Sequence, residues 1–305
     1  MKDLKTIRGM PDLYDEDVER ISIVENICLE TFKSFNFQEF RTPIVENKAL
    51  FQRSVGESSD IIQKEVYEFE DRNGEILCLR PEGTAGLVRA LITNGLMNDE
   101  IKKFFYLGPM FRYERPQKGR KRQFFQAGAE LIGEESTKSD VEIILLAKTI
   151  LEKLNVRYTL EINYLGKEDS LNSYRSYLRK YLQNFKDELS EKVYSRLQRN
   201  PIRAIDSKDS NIQEIFKKAS DISDFLKKEE KESFERTIKS LKDLKIHFNL
   251  NKNLVRGLDY YTGTVFEFTV DGLGAQNAVI GGGRYDNLIK DLGGRDLPAI
   301  GFAPG

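Results

Sequence analysis

Six of the eleven residues from Arg112 to Arg122 are Lys or Arg, against one acid, Glu114. So dense a cation trap suits a polyphosphate, because Arg forks match phosphate oxygens bidentately. Phe124 or Phe125, next along the chain, offers a ring face on which a purine can stack. Polar residues then return at Gln126, Gly128 and Glu130. Period two places Gln126 and Glu130 on one face of an extended chain together with Phe124. Buried polar groups cost free energy when unpaired, so this face is expected to line a polar pocket and not a core. A solvated basic loop is the alternative reading of the charge run alone. The regular return of polar side chains argues against it, and a nucleotide site is the expectation.

Three further polar clusters sit at the ends of apolar runs: Arg80 to Thr84, Arg256 to Thr264, and Gly281 to Asp286. Glu82 is either a ligand group or an acid at a helix N-terminus favoured by the helix dipole. Arg256 in LVRGLDYYTGTVFE, followed by Gly257 and two tyrosines before a strand, reads as a ligand loop. Gly281 to Gly283 would let backbone approach a ligand closely, or mark a bulge or tight turn. A phosphate loop of the GxxxxGK type is absent from the sequence. His247, the lone histidine, lies in an apolar stretch and reads as packing, not catalysis.

The elements that must position these groups follow from periodicity. Apolar runs from Phe104 to Met110 and Phe124 to Ile132 flank the turn signal Pro116-Gln117-Lys118-Gly119, which predicts an antiparallel hairpin with a basic tip. Val18, Ile21, Val24, Cys28 and Phe32 recur at helical spacing and predict an amphipathic helix over Asp15 to Phe35. Phe37 to Glu46 reads as a strand whose Pro43 argues for an edge or interface position. Asn73-Gly74 splits an alternating run into a second hairpin. A helix after Arg80 to Thr84 is expected to stop at Asn94-Gly95. Ser139 and Glu142 read as a capping box opening a helix to about Leu154, and Arg157 to Leu165 as the next strand. From Gly166 to Lys245 Tyr174, Tyr177, Tyr181 and Phe185 keep helical spacing and only the Asn200-Pro201 break intervenes, so this stretch reads as a helical insertion. Strand patterning resumes at Leu254 to Phe268.

Hydrophobic residues make up 39% and charged residues 32% of the 305, with a net charge of −1. Length and composition allow one large domain with an insertion and ample core. The charge is uneven: Leu171 to Lys245 carries 18 Lys and Arg against 13 Asp and Glu, leaving the remainder at −6. Cys28 and Cys78 both lie in apolar patterns and support neither a disulfide framework nor a zinc site. No apolar run approaches the roughly 18 residues of a membrane span, and no signal peptide pattern opens the chain, so a cytoplasmic protein is expected.

RTPIVE at Arg41 to Glu46, FRYERPQKGRKRQFFQAGAELIG at Phe111 to Gly133, LVRGLDYYTGTVFE at Leu254 to Glu267, GGGRYD at Gly281 to Asp286 and AIGFAPG at Ala299 to Gly305 together closely resemble histidyl-tRNA synthetases. The first, second and last are similar to the three class II synthetase motifs; the other two are similar to the histidine-specific stretches. NPIRAIDSK at Asn200 to Lys208 resembles the family's helical insertion. The resemblance implies an α+β fold, an antiparallel class II sheet flanked by helices with an all-helical insertion. It divides the chain into catalytic parts at 1–166 and 246–305 around an insertion at 167–245. It further implies a homodimer formed through the first motif, which activates L-histidine with ATP and Mg2+, the metal held through the ATP phosphates, and charges histidine tRNA.

Carried over position by position, the resemblance assigns Arg112 to the α-phosphate, Glu114 to the adenine amino group, Phe124 to the adenine ring and Arg120 to ATP. Glu82 and Gln126 would bind the histidine α-amino group, Thr84 and Arg256 its carboxylate, and Glu130 with Tyr260 and Tyr261 the imidazole end. Arg256 and Arg112 would be catalytic, with no metal held by protein side chains. A synthetase-like binding module, of the kind that regulates an ATP phosphoribosyltransferase or senses tRNA, is the competing expectation. The family pattern continues past Gly305 to an ATP-contacting Arg and an anticodon-binding domain, neither of which is among the 305 residues. Loss of one ionic hydrogen bond of about 1.5–3 kcal/mol implies adenylation weakened by at least roughly tenfold.

Overall fold

The computed structural model describes residues 4–56, 59, 61–98, 100–117, 119–272 and 277–304. Lys118 and Gly305, which belong to the basic turn and the last motif, lie outside them. In chain order the elements are α1 (Glu16–Ser34), β1 (Gln38–Glu39), β2 (Val45–Asn47), α2 (Lys48–Val55), β3 (Glu68–Glu70), β4 (Ile76–Leu79), α3 (Thr84–Thr93), β5 (Lys102–Phe111) and β6 (Gln123–Ile132). They continue with α4 (Thr137–Lys153), β7 (Thr159–Tyr164), α5 (Glu168–Gln183), α6 (Glu191–Arg199), α7 (Ser210–Phe216), α8 (Lys228–Asp243), β8 (Asn249–Leu250), β9 (Thr262–Thr269), β10 (Ala278–Arg284), α9 (Leu288–Asp291) and β11 (Ala299–Pro304).

One eight-stranded sheet runs β1-β5-β6-β11-β10-β9-β7-β8, and a three-stranded one runs β2-β4-β3. The six central strands of the large sheet are antiparallel, as expected, whereas β1 joins β5 and β8 joins β7 in parallel. Both edge strands are reached by crossovers that carry helices, and such a crossover returns the chain in its original direction. The basic hairpin is antiparallel as predicted, with Met110 opposite Phe124 and Gly108 opposite Gln126. Its tip closes through mutual backbone hydrogen bonds between Gln117 and Arg120.

The sheet separates two cores. Behind it, Cys28 and Phe32 of α1 and Ile144 and Ile150 of α4 pack on Phe105, Ala129, Leu131, Phe266, Phe268 and Ile300. The rings of Phe32 and Phe105 stack at 4.9 Å, and burying each such ring contributes about 1.5–3 kcal/mol. In front, Leu87 and Leu91 of α3, Ile289 of α9 and Leu171 and Leu178 of α5 meet Tyr106, Met110, Val265 and Tyr285. Cys28 and Cys78 are buried free thiols, and burial pushes both up to about 12.

Several local expectations change. The stretch read as one strand over Phe37 to Glu46 is split: β1 joins the large sheet, β2 the small one, and Pro43 lies in the irregular link. A proline there cannot donate to a ladder. Arg80 fastens the link instead, its Nη1 donating to the Thr42 carbonyl at 3.0 Å and to Thr42 Oγ1 at 3.2 Å. Helix α4 opens at Thr137 after Ser136, two residues before the expected Ser139. Ser139 Oγ donates to the Ser136 carbonyl at 2.6 Å, and Glu142 pairs with Lys103 at 2.5 Å instead of closing a box. His247 is exposed and not packed. The Asn73-Gly74 hairpin is present, with Gly74 at φ +85 and Asp71 Oδ1 accepting from Asn73 and Glu75 amides. Between β7 and β8 the described residues form helices and 3-10 turns without a strand, and the rings of Tyr177, Tyr181 and Phe185 follow one another at 5.9 and 5.2 Å.

Candidate active site

The hairpin of β5 and β6 turns alternate side chains to the front of the sheet. Phe124, Gln126 and Glu130 share that face, while Phe125 projects behind it. Gly128, between Gln126 and Glu130, leaves room for a ring: a Cβ there would stand 2.1 Å from Tyr106, and one at Gly83 would stand 2.2 Å from the same ring. Tyr106 therefore threads between strand and helix to reach the acid behind it.

Glu130 is 1% exposed, and each of its carboxylate oxygens accepts a hydrogen bond. Thr84 Oγ1, in the first turn of α3, donates to Oε1 at 2.7 Å, and Tyr285 OH, past the end of β10, donates to Oε2 at 2.6 Å. Burial pushes its carboxyl up to about 8, opposed by those hydrogen bonds and assisted by the nearby Glu82. A Cβ at Gly301 of β11 would stand 1.6 Å from Oε2, so glycine there is what admits the carboxylate. Glu82 fulfils its helix-end reading, since its two oxygens accept from the Thr84 and Ala85 amides at 2.7 and 2.8 Å. It is also 3% exposed, and burial raises its pKa.

Arg256 reaches the cavity from the loop before β9. Its Nη1 donates to Glu267 Oε2, and Nε is buried without a hydrogen-bond partner. The guanidinium lies across β10, where a Cβ on Gly281 would stand 1.7 Å from Nη2. Of the two readings of the glycine triplet, the bulge agrees with the register irregularity after Gly283, while Gly281 also admits a side chain of the chain itself and Gly282 packs against Phe266 and the Gly301 carbonyl. The neighbouring Arg284 is structural. It pairs with Asp140 at 2.6 Å and donates to Ser139 Oγ at 2.7 Å, behind the cavity wall.

On the basic side, Arg112 Nε donates to the Pro81 carbonyl at 2.9 Å, and its guanidinium lies 5.2 Å from the centre of the Phe124 ring. Glu114 and Arg120, both expected to meet ATP, pair with each other. Arg122 instead lies 3.8 Å over Tyr113 and donates to the Glu114 carbonyl at 3.1 Å, which stiffens the base of the tip.

All eleven residues singled out in the sequence, namely Glu82, Thr84, Arg112, Glu114, Arg120, Phe124, Gln126, Glu130, Arg256, Tyr260 and Tyr261, line one cavity of about 250 Å³. Gln126 is 8% exposed and its Oε1 lacks a hydrogen-bond partner. An orphaned acceptor and an orphaned guanidinium N–H in one cavity are a donor–acceptor set waiting for a zwitterion or a phosphate. A larger cavity of about 360 Å³ lies behind β6 against Pro11, Ile21, Val24 and Phe125. Its walls are chiefly apolar, so the chemistry belongs to the smaller one.

Sequence reasoning missed Tyr285, Tyr106 and Glu267. Tyr285 stands inside GGGRYD beside a more conspicuous Arg, and Glu267 is the lone acid between Phe266 and Phe268 in a strand. Both were visible as polar interruptions of buried patterns, but their partners came from distant segments.

A family profile described as histidyl-tRNA synthetase matches residues 9–304. The histidine–tRNA ligase of Hydrogenovibrio crunogenus is 46% identical over 305 residues, covering all of this chain and 72% of that protein. The structure of apo Staphylococcus aureus histidyl-tRNA synthetase superposes with a TM-score of 0.80 at 34% identity, over 99% of this chain and 71% of that one. A Bacillus halodurans protein described as an ATP phosphoribosyltransferase regulatory subunit/histidyl-tRNA synthetase shares the fold, with a TM-score of 0.71 at 22% identity over 98% of this chain and 80% of that one. With the profile spanning nearly the whole chain and the ligase matched along all of this chain, this chain belongs to the histidyl-tRNA synthetase family.

Proposed function

We propose that this cavity activates L-histidine with ATP, giving histidyl-adenylate and pyrophosphate, and that histidine then passes to the 3′ end of its tRNA. A carboxylate oxygen of histidine attacks the α-phosphorus, and the bond from that phosphorus to the bridging oxygen breaks as pyrophosphate leaves. In the second step a terminal ribose hydroxyl oxygen attacks the acyl carbon and AMP departs. Two anions meet in the first step, so its barrier is dominated by repulsion and by charge developing on phosphate oxygens. Arg112 follows β5 and Arg256 lies on β10, with β6 and β11 between them. They therefore flank the reacting centre and offset that charge. No general base is needed, because the carboxylate is already ionised.

The observation that carries this reading is Glu130, an acid sealed at the end of the cavity and held by Thr84 and Tyr285. An imidazole N–H gives its remaining lone pairs a donor beyond those of Thr84 and Tyr285; an apolar side chain of similar size gives none, and sites of that kind discriminate by about 10⁴ or more. Gln126 Oε1 and Glu82 meet the α-amino group, Thr84 and Arg256 the carboxylate, and Tyr260 and Tyr261 close over the ring. Phe124 stacks on adenine, and Glu114, once parted from Arg120, meets its amino group while Arg120 turns to the phosphates. Mg2+ would be held through the ATP phosphates, with no side chain of this chain assigned to it, and would lower their charge.

In this reading 1–166 and 246–305 form the catalytic domain and 167–245 an insertion, whose basic stretch from Leu171 to Lys245, with an excess of +5, contacts the tRNA acceptor stem. The protein works in the cytoplasm as a homodimer. The regulatory-module alternative rests on fold likeness, whereas Glu82, Arg112, Gln126, Glu130, Arg256 and Tyr261 standing together favours the enzyme. Pyrophosphate exchange into ATP decides: stimulation by histidine alone is expected, and equal stimulation by proline or threonine rejects the assignment.

A further inference from the structure

The NPIRAIDSK motif has no part in the chemistry above, yet it touches the loop that carries Arg256. Asn200 Nδ2 donates to Asp259 Oδ1 at 2.7 Å, across 59 residues of sequence. Arg203 Nη2 donates to the Gly257 carbonyl. These two anchor points bracket Leu258 and stand directly beside Arg256 on one side and Tyr260 on the other. Ile202, between the two donors, is buried in the same apolar cluster as Leu171, Val255 and both tyrosines. From the other side, the carboxylate of Asp259 presses on the end of α2, where a Cβ on Gly56 would stand 2.6 Å from Oδ2.

Apart from the Arg256–Glu267 pair, the burial of its apolar side chains and a bond from the Asp259 amide to the Val55 carbonyl at 3.4 Å, the loop is irregular. Residues 254–261 belong to neither a helix nor a strand. A Cβ at Gly257 would meet nothing within 4 Å, so the backbone there is sterically free. The start of the loop is fixed by Asn163, whose Nδ2 donates to the Lys252 and Leu254 carbonyls at 3.1 and 3.0 Å. Beyond that point the side-chain grips recorded on Gly257 and Asp259 come from the segment between β7 and β8.

We propose that Asn200 and Arg203 are positioning residues for histidine activation, so that the helical segment holds Arg256, Tyr260 and Tyr261 in register and acts in the first step as well as in any contact with tRNA. This rests on the assignment of Arg256 to the activation chemistry. Misplacing a catalytic group by an ångström costs far more in rate than in binding. Losing a hydrogen bond to a charged partner is therefore expected to lower the exchange rate about tenfold in N200A and in R203A, with histidine affinity changed by less than about threefold.

The test reads three quantities: exchange rate, histidine affinity by calorimetry, and hydrogen–deuterium exchange of the Gly257–Tyr261 amides. N200A and R203A should speed deuterium uptake there while the melting temperature stays near that of the parent. N200D sets two carboxylates against each other and should do worse. N200D/D259N lets amide and carboxylate trade places and should restore both loop protection and rate. Unchanged protection in N200A, no recovery in the double variant, or a loss no larger than that of the surface change E191A overturns the proposal. R256A serves as the separate check: if it leaves exchange intact, the catalytic assignment fails, whereas loss in R256A with none in N200A rejects only the positioning role.

Discussion

At Glu130 burial and hydrogen bonding oppose each other, and burial prevails, lifting the carboxyl from 4.5 to about 8. Its proton is therefore kept at pH 7 in the folded chain and lost in the unfolded one. A raised folded-state pKa gives stability that is full below about 4.5 and is lost as pH rises toward 8. Asp140, raised to about 6, adds a slope of the same sign at lower pH, so the clean window is pH 6 to 8. In that window E130Q should show a flatter dependence of melting temperature on pH than the parent; parallel curves would mean that Glu130 is ionised when folded. Arg256 makes a second case. R256A should lower exchange by about 10²–10³ while weakening histidine binding less than tenfold, as expected for a group whose interaction strengthens in the transition state. A change confined to binding would reduce Arg256 to a clamp.

The strands carry the site as much as their side chains do. Gly281 and Gly301 sit on adjacent antiparallel strands, opposite Ala303 and Gly283 respectively, and each makes room for one charged group of the cavity. At Gly281 the clash of an added Cβ falls on the far end of the Arg256 side chain, not on backbone. G281A is therefore expected to fold with a melting temperature near the parent's yet lose exchange to within about threefold of R256A. Full exchange in G281A would show that the guanidinium works from elsewhere. Such a glycine could not be read from sequence: GGGRYD advertised close approach, but which atoms approach depends on the strand pairing.

On the scale of the molecule, the front cavity and the second sheet face different neighbours. Ile44 and Val45 of the first motif and Phe69 of the small sheet are apolar and partly exposed, and Val45 and Phe69 share one face of that sheet, opposite Leu79 and Leu77 of β4. We take this apolar face as the surface through which the proposed homodimer forms. The chain should sediment as a dimer and I44E as a monomer; a monomeric parent, or an unaffected I44E, rejects this surface. The helical segment's positive excess predicts that tRNA affinity falls steeply with salt and that deleting 168–243 lowers the slope. A salt-independent affinity, or an unchanged slope, removes the insertion from tRNA contact.

Local physics was enough for much of this. Period two on β6, the Asn73-Gly74 turn, the Asn94-Gly95 stop and the helical spacing of Tyr174 to Phe185 all depend on neighbours within a few residues, so the sequence by itself determined them. The motifs in it, through their resemblance to a family, also picked out the eleven residues that line one cavity. Tertiary structure alone decided that Pro43 breaks its strand between two sheets, that Glu114 pairs with Arg120, and that Tyr285 and Thr84, 201 residues apart by number, grip opposite oxygens of one carboxylate. Those outcomes depend on strand order and on the space a missing Cβ leaves, quantities that exist only once distant segments have been brought together.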